Sequence, residues 1–152
     1  KNLFSFAAVT LFMLFAFPSF ASDFSGIWRS LGGTYYNSSD EEYNCRLKEG
    51  IIEIKQSQDQ LTIGPRTFIC SGHGNVSFGS RNLQILDGVL WETGTKVGSI
   101  TASDINYRFC NEIKTACIEM SIFLMNGSFY MTDRVVDNDE VSHEWAFYYA
   151  SK

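Results

Sequence analysis

The sequence predicts an all-β protein, a single up-and-down meander β-barrel of about 8–10 antiparallel strands. Three observations predict it. Short runs of alternating apolar residues recur between turn signals, and no long helical period interrupts them. One hairpin, Cys117 to Arg134, can be registered residue by residue about Asn126-Gly127, a dipeptide that favours a type I′ turn. The cysteine count is four, an even number.

The 152 residues allow one domain. Residues 1–21 read as a signal peptide, and residues 22–152 as the barrel domain. Lys1 is the one charge before Asp23, and Leu3 to Phe17 is almost wholly apolar. Pro18 breaks any helix. Ser19-Phe20-Ala21 then supplies small residues at the two positions a signal peptidase reads. The apolar run is shorter than the ~20 residues that cross a bilayer. No stable membrane anchor is therefore expected after cleavage, and the expected location is secreted or periplasmic.

Cys45, Cys70, Cys110 and Cys117 read as two disulfides in an exported domain, with three possible connectivities. A zinc site is not expected, because there is no CxxC and there are two histidines. Beyond residue 21 the chain has 11 basic and 17 acidic side chains. That balance excludes a nucleic-acid partner, whose phosphates demand a basic face.

The strands can be justified in order. Ile52 and Ile54 can face Leu61 and Ile63 across a turn at Ser57-Gln58. Leu83 and Ile85 return through Asp87-Gly88 towards Leu90. Thr93-Gly94 turns that strand into Val97 to Thr101. If Cys110 lies opposite Cys117, then Phe109 faces Ile118, Tyr107 faces Met120 and Ile105 faces Ile122, all on the inner face. The same register continues through the Asn-Gly hairpin, pairing Met120 with Asp133, Ile122 with Met131 and Leu124 with Phe129. Glu119 then sits outside, between Arg108 and Arg134. A one-residue slip would spoil every pair at once. The register makes Cys110–Cys117 the preferred disulfide, and Cys45–Cys70 follows by elimination. The last strand, Val141 to Tyr149, puts Val141, His143, Trp145, Phe147 and Tyr149 on one face. Nine or ten strands result, and a barrel removes the open edges they would otherwise carry.

The first strand reads Asp23-Phe24-Ser25-Gly26-Ile27-Trp28. It resembles the F-x-G-x-W signature that opens the lipocalins and related calycins. That resemblance implies a barrel around a small apolar ligand. Gly26 would let the backbone bend closely, and Trp28 would plug the closed end. The irregular stretch Gly32 to Asn44 is similar to the loop that overhangs the lipocalin mouth. Thr132-Asp133 is similar to the T-D of the second lipocalin motif. The opening strand is also similar to that of avidin-like barrels and of small exported barrels that inhibit proteases.

Catalytic signals are weak. Ser80, Ser99 and Ser103 lack a GxSxG context. His73 lies in Ser71-Gly72-His73-Gly74 and reads as an exposed loop residue. Asp133 is expected on the inner face, where a carboxylate needs a partner or the barrel rim. Asp40-Glu41-Glu42 and Asp137, Asp139 and Glu140 read as solvated loop charge. No enzyme activity, cofactor or metal is expected. Aromatic residues carry the usable signal: Tyr35, Tyr36, Tyr107, His143 and Trp145 are the candidate ligand-binding residues, with Tyr35 and Tyr36 gating the mouth. The expected function is binding of a small hydrophobic molecule. The alternative is a barrel that binds a protein through its loops and inhibits a secreted or periplasmic hydrolase.

Overall fold

The structure, a computed structural model, describes residues 23–151. The expected signal peptide lies outside the described residues. Thirteen strands follow in chain order: β1 (Gly26–Asn37), β2 (Glu42–Leu47), β3 (Ile51–Gln56), β4 (Gln60–Ile63), β5 (Arg66–Cys70), β6 (Gly74–Phe78), β7 (Arg81–Leu86), β8 (Val89–Glu92), β9 (Thr95–Ile100), β10 (Asp104–Cys110), β11 (Ala116–Met125), β12 (Ser128–Asp137) and β13 (Glu140–Ser151). A closed antiparallel ring runs β1, β3, β4, β7 and on in sequence to β13, which returns to β1. The ring therefore has ten strands, within the predicted range.

The predicted registers hold from β10 to β12. Cys110 lies opposite Cys117, Tyr107 opposite Met120 and Ile105 opposite Ile122. Met120 pairs with Asp133, Ile122 with Met131 and Leu124 with Phe129. Asn126 and Gly127 both take the positive φ that a type I′ turn requires. Both disulfides, Cys45–Cys70 and Cys110–Cys117, link residues directly opposite on neighbouring strands.

Three strands leave the ring. The first half of β1 pairs with β3, and its second half pairs with β2 along the same edge. From β2 the sheet runs on through β5 to β6. The result is a flap folded across one end of the barrel, with Leu47, Arg66, Phe68 and Phe78 buried. This corrects the reading of Gly32 to Asn44 as an irregular loop. Those residues form the β1–β2 hairpin instead. A bulge between Ser30 and Gly32 lets β1 continue. Gly33 is then required by close approach, since a Cβ there would press on the Ala146 carbonyl and come within 2.5–2.6 Å of the Phe147 ring. The hairpin tip is set by Asn37, whose Oδ1 accepts hydrogen bonds from the N–H groups of Ser39 and Glu41.

Two inward placements also need correction. Phe109 is 42% exposed, because β9 runs alongside β10 only as far as Tyr107. Val141 is 46% exposed, because a bulge between Val135 and Val136 and the strand opposite re-phases β13 before His143.

Buried side chains from the strands and the flap form one continuous core cluster. One wall is aliphatic, with Ile52, Ile54, Leu61, Ile63, Leu83, Leu90, Ile105 and Ile122 all buried. Along the other runs an aromatic column. Trp28 meets Phe129 edge-on at 4.8 Å, Phe129 stacks on Tyr149 at 4.6 Å, and Tyr149 lies 6.3 Å from Phe147. Phe68 of the flap stacks on Phe147 at 4.5 Å. At its core Arg66 crosses from the flap to Asp133 on β12, with Nε donating to Oδ2 at 2.6 Å and Nη2 to Oδ1. Burial disfavours the Arg66 charge, but the adjacent Asp133 carboxylate more than offsets this and holds the guanidinium above its ordinary range.

Tyr107 and Tyr149 are buried phenols, and burial pushes both well above the ordinary tyrosine range. The folded state therefore keeps protons that an unfolded tyrosine releases near pH ~10. Their stabilising contribution is complete below that pH and is lost as pH rises through the folded values. A spectrophotometric titration should show at least these two phenols ionising only as the barrel unfolds at alkaline pH. Reversible ionisation of all seven tyrosines in the folded protein would contradict this.

Candidate functional site

The candidate site is a cleft of about 250 Å³ where the flap meets β1 and β13, lined by Tyr35, Cys70, His73, Val76, His143 and Trp145 among others. Strand register assembles it. Tyr35 lies opposite Trp145 on one side and Tyr43 on the other. His143 is two residues before Trp145 and so shares its face. His73 comes from the tight turn between β5 and β6, where its N–H donates to the Cys70 carbonyl at 3.3 Å. Gly72 and Gly74 on either side of it take left-handed backbone angles, which side chains rarely adopt. The Cys45–Cys70 disulfide ties that turn to β2.

Tyr35 is the hub. Its ring stacks with Trp145 at 5.1 Å, His143 at 5.8 Å and Tyr43 at 5.8 Å, and His73 stands edge-on at 5.0 Å. Its hydroxyl shares a 2.7 Å hydrogen bond with His143 Nδ1. Burial raises the phenol's pKa, so the hydroxyl keeps its proton at neutral pH. His73 also packs edge-on against Tyr43 at 4.3 Å, and the Tyr43 hydroxyl donates to Glu41 Oε2 at 2.9 Å. Hydrogen bonds from Asn37 and Tyr43 hold the Glu41 carboxyl below its usual range. The arrangement offers aromatic walls with two imidazoles for polar anchoring, the pattern of a small-molecule site. Among the described residues no three His, Cys, Asp or Glu side chains gather around a common metal position.

Three of the residues singled out from sequence, Tyr35, His143 and Trp145, meet here. Two others lie elsewhere. Tyr36 follows Tyr35 and so faces outward, opposite Glu144. Tyr107 points inward but belongs to a separate cluster, where its hydroxyl donates to Glu92 at 2.7 Å and Arg81 sits over its ring at 5.2 Å. Trp28 is buried far along the column, and its indole N–H donates to the Phe24 carbonyl at 3.0 Å. A Cβ at Gly26 would lie 3.4 Å from that indole nitrogen. His73 is an exposed turn residue, as the sequence predicts, and its ring edges the cleft; Tyr43 and Arg66 are not among the residues the sequence singles out. Arg66, Phe68 and Cys70 alternate in phase, and that spacing was the available signal for the buried face of β5.

These features define the class: a closed, ten-stranded antiparallel barrel with a flap over one end and an aromatic cleft beside it. No known protein family matches the chain, and no curated protein does. Among solved structures it is similar to a protein of unknown function from the DUF3598 family of Nostoc punctiforme PCC 73102. The TM-score is 0.52 at 9% identity, over 86% of this chain and 48% of that one. The chain thus spans about half the length of that structure, and the likeness is one of fold.

Proposed function

We propose that the protein is an exported binding module that takes a small aromatic or apolar molecule into the cleft between flap and barrel. One observation carries this reading: Tyr35, Trp145, His73 and His143 converge on one open cleft of about 250 Å³. The volume lies just below the usual range of about 300–1,000 Å³, which favours a compact ligand. This cleft lies at the mouth, so the ligand sits there and not along the axis. Two disulfides suit an oxidising compartment outside the cytoplasm.

Titration with the fluorescent probe N-phenyl-1-naphthylamine tests the reading. Saturable enhancement is expected, weakened about tenfold by His143→Gln or His73→Ala. Absence of saturation, or binding indifferent to both changes, would count against it.

The rigid tip of the β1–β2 hairpin supports a second reading, a loop-mediated hydrolase inhibitor. Its exposed residues are pre-ordered by Asn37, and pre-ordering lowers the entropy cost of binding a protein. A stoichiometric protein partner captured from the extracellular or periplasmic fraction would favour this reading, provided that Ser38→Pro weakens the capture.

A further inference from the structure

A second cleft lies on the outer wall of the barrel, away from the mouth. It encloses about 360 Å³ and is lined by Asp59, Gln60, Gln84, Leu86 and Trp91 among others. Register builds it. Gln60 lies opposite Gln84, and Gln84 lies opposite Trp91. Leu61, Leu83 and Leu90, their immediate neighbours, are buried in the core. Alternation along each strand therefore turns Gln60, Gln84 and Trp91 outward, in one row across β4, β7 and β8. With strands ~4.8 Å apart, the row is about 10 Å long.

The chemistry of the row is specific. Trp91 is partly buried, and its indole N–H is shielded from solvent without an acceptor among the described residues. A shielded donor of this kind is rare in folded proteins, because leaving it unpaired is costly. Gln60 and Gln84 are exposed, and each primary amide holds a carbonyl acceptor beside two N–H donors. Asp59 adds an acceptor-only carboxylate. Leu86, 62% exposed, extends the apolar surface beside the indole.

We infer that this outer cleft binds a neutral saccharide about two sugar units long. A sugar ring has an apolar C–H face and a rim of hydroxyls that both donate and accept. The broad indole of Trp91 matches the face. The two amides, adjacent across strands, match neighbouring hydroxyls, and Asp59 accepts from another. A purely apolar ligand would strip water from both amides without replacing their hydrogen bonds. An anion would meet the Asp59 carboxylate. The volume falls within the range of small-molecule sites.

The indole N–H resonances of Trp28, Trp91 and Trp145 report on three separate places in the fold. The purified protein is titrated separately with maltose, cellobiose and N,N′-diacetylchitobiose while these resonances are followed by NMR. At least one disaccharide should shift the Trp91 resonance saturably and leave Trp28 in place. Gln84→Ala and Gln60→Ala, both at exposed positions, should each weaken that binding about tenfold or more. Unchanged Trp28 and Trp145 resonances confirm that the variants are folded. The inference is overturned if no disaccharide gives a saturable Trp91 shift, or if the shift survives both substitutions at full affinity.

Discussion

Asp133→Ala is expected to destabilise the protein by about 3–5 kcal/mol, measured as a fall in the urea midpoint at unchanged slope. Asp133 is fully buried, and its carboxylate takes hydrogen bonds from both Nε and Nη2 of Arg66. Removing it leaves a guanidinium sealed in the barrel, with the Met120 sulfur at 3.5 Å and the Phe78 ring at 5.2 Å but no carboxylate to balance its charge. A charge stranded in this way costs far more than an intact pair contributes. The double replacement Arg66→Met with Asp133→Leu should therefore recover most of the loss, since it removes both charges and keeps the volume. If the double variant is as unstable as the single one, the effect is not electrostatic.

Phe68→Ala should cost a similar amount, about 3–5 kcal/mol. Phe68 is buried and links the flap to the barrel through Phe147 at 4.5 Å and Trp145 at 6.5 Å, and it packs on Phe78 within the flap at 5.8 Å. Phe78 also meets Trp145 edge-on at 5.3 Å, but among the described residues Phe68 on Phe147 is the closest ring contact between flap and barrel, and truncation leaves a cavity there. Hydrogen exchange should then rise in β5 and β6 before it rises in β11 and β12. Uniform acceleration across the barrel would show that the flap is not an independently loosened unit.

The same contrast explains what the sequence reveals. The β10–β12 registers are legible because alternation, an Asn-Gly turn and the Cys110–Cys117 pair all specify one alignment. The flap is not legible in that way. Thr34-Tyr35-Tyr36 has strand character, but Gly32-Gly33 precedes it and Asn37 to Asp40 follows it, so the stretch reads as a loop. The glycines in fact serve a bulge and a close packing of strands. Asp133 on an inner face signals a missing partner, yet that partner is Arg66, 67 residues away in sequence. No local spacing encodes such a contact. Of the candidate site, Tyr35, His143 and Trp145 follow from residue type and strand phase. His73 joins them only because β5 and β6 fold back over the end, held to β2 by Cys45–Cys70.

The proposed function places a small aromatic molecule at the mouth and not within the barrel. Trp145 lines the cleft, whereas Trp28 lies along the column against Phe129. Titration with 1-naphthol, followed through the two indole N–H resonances, separates the possibilities. A saturable shift of Trp145 with Trp28 unmoved is the predicted result. A motionless Trp145, or Trp28 shifting in step with it, would contradict binding at the mouth.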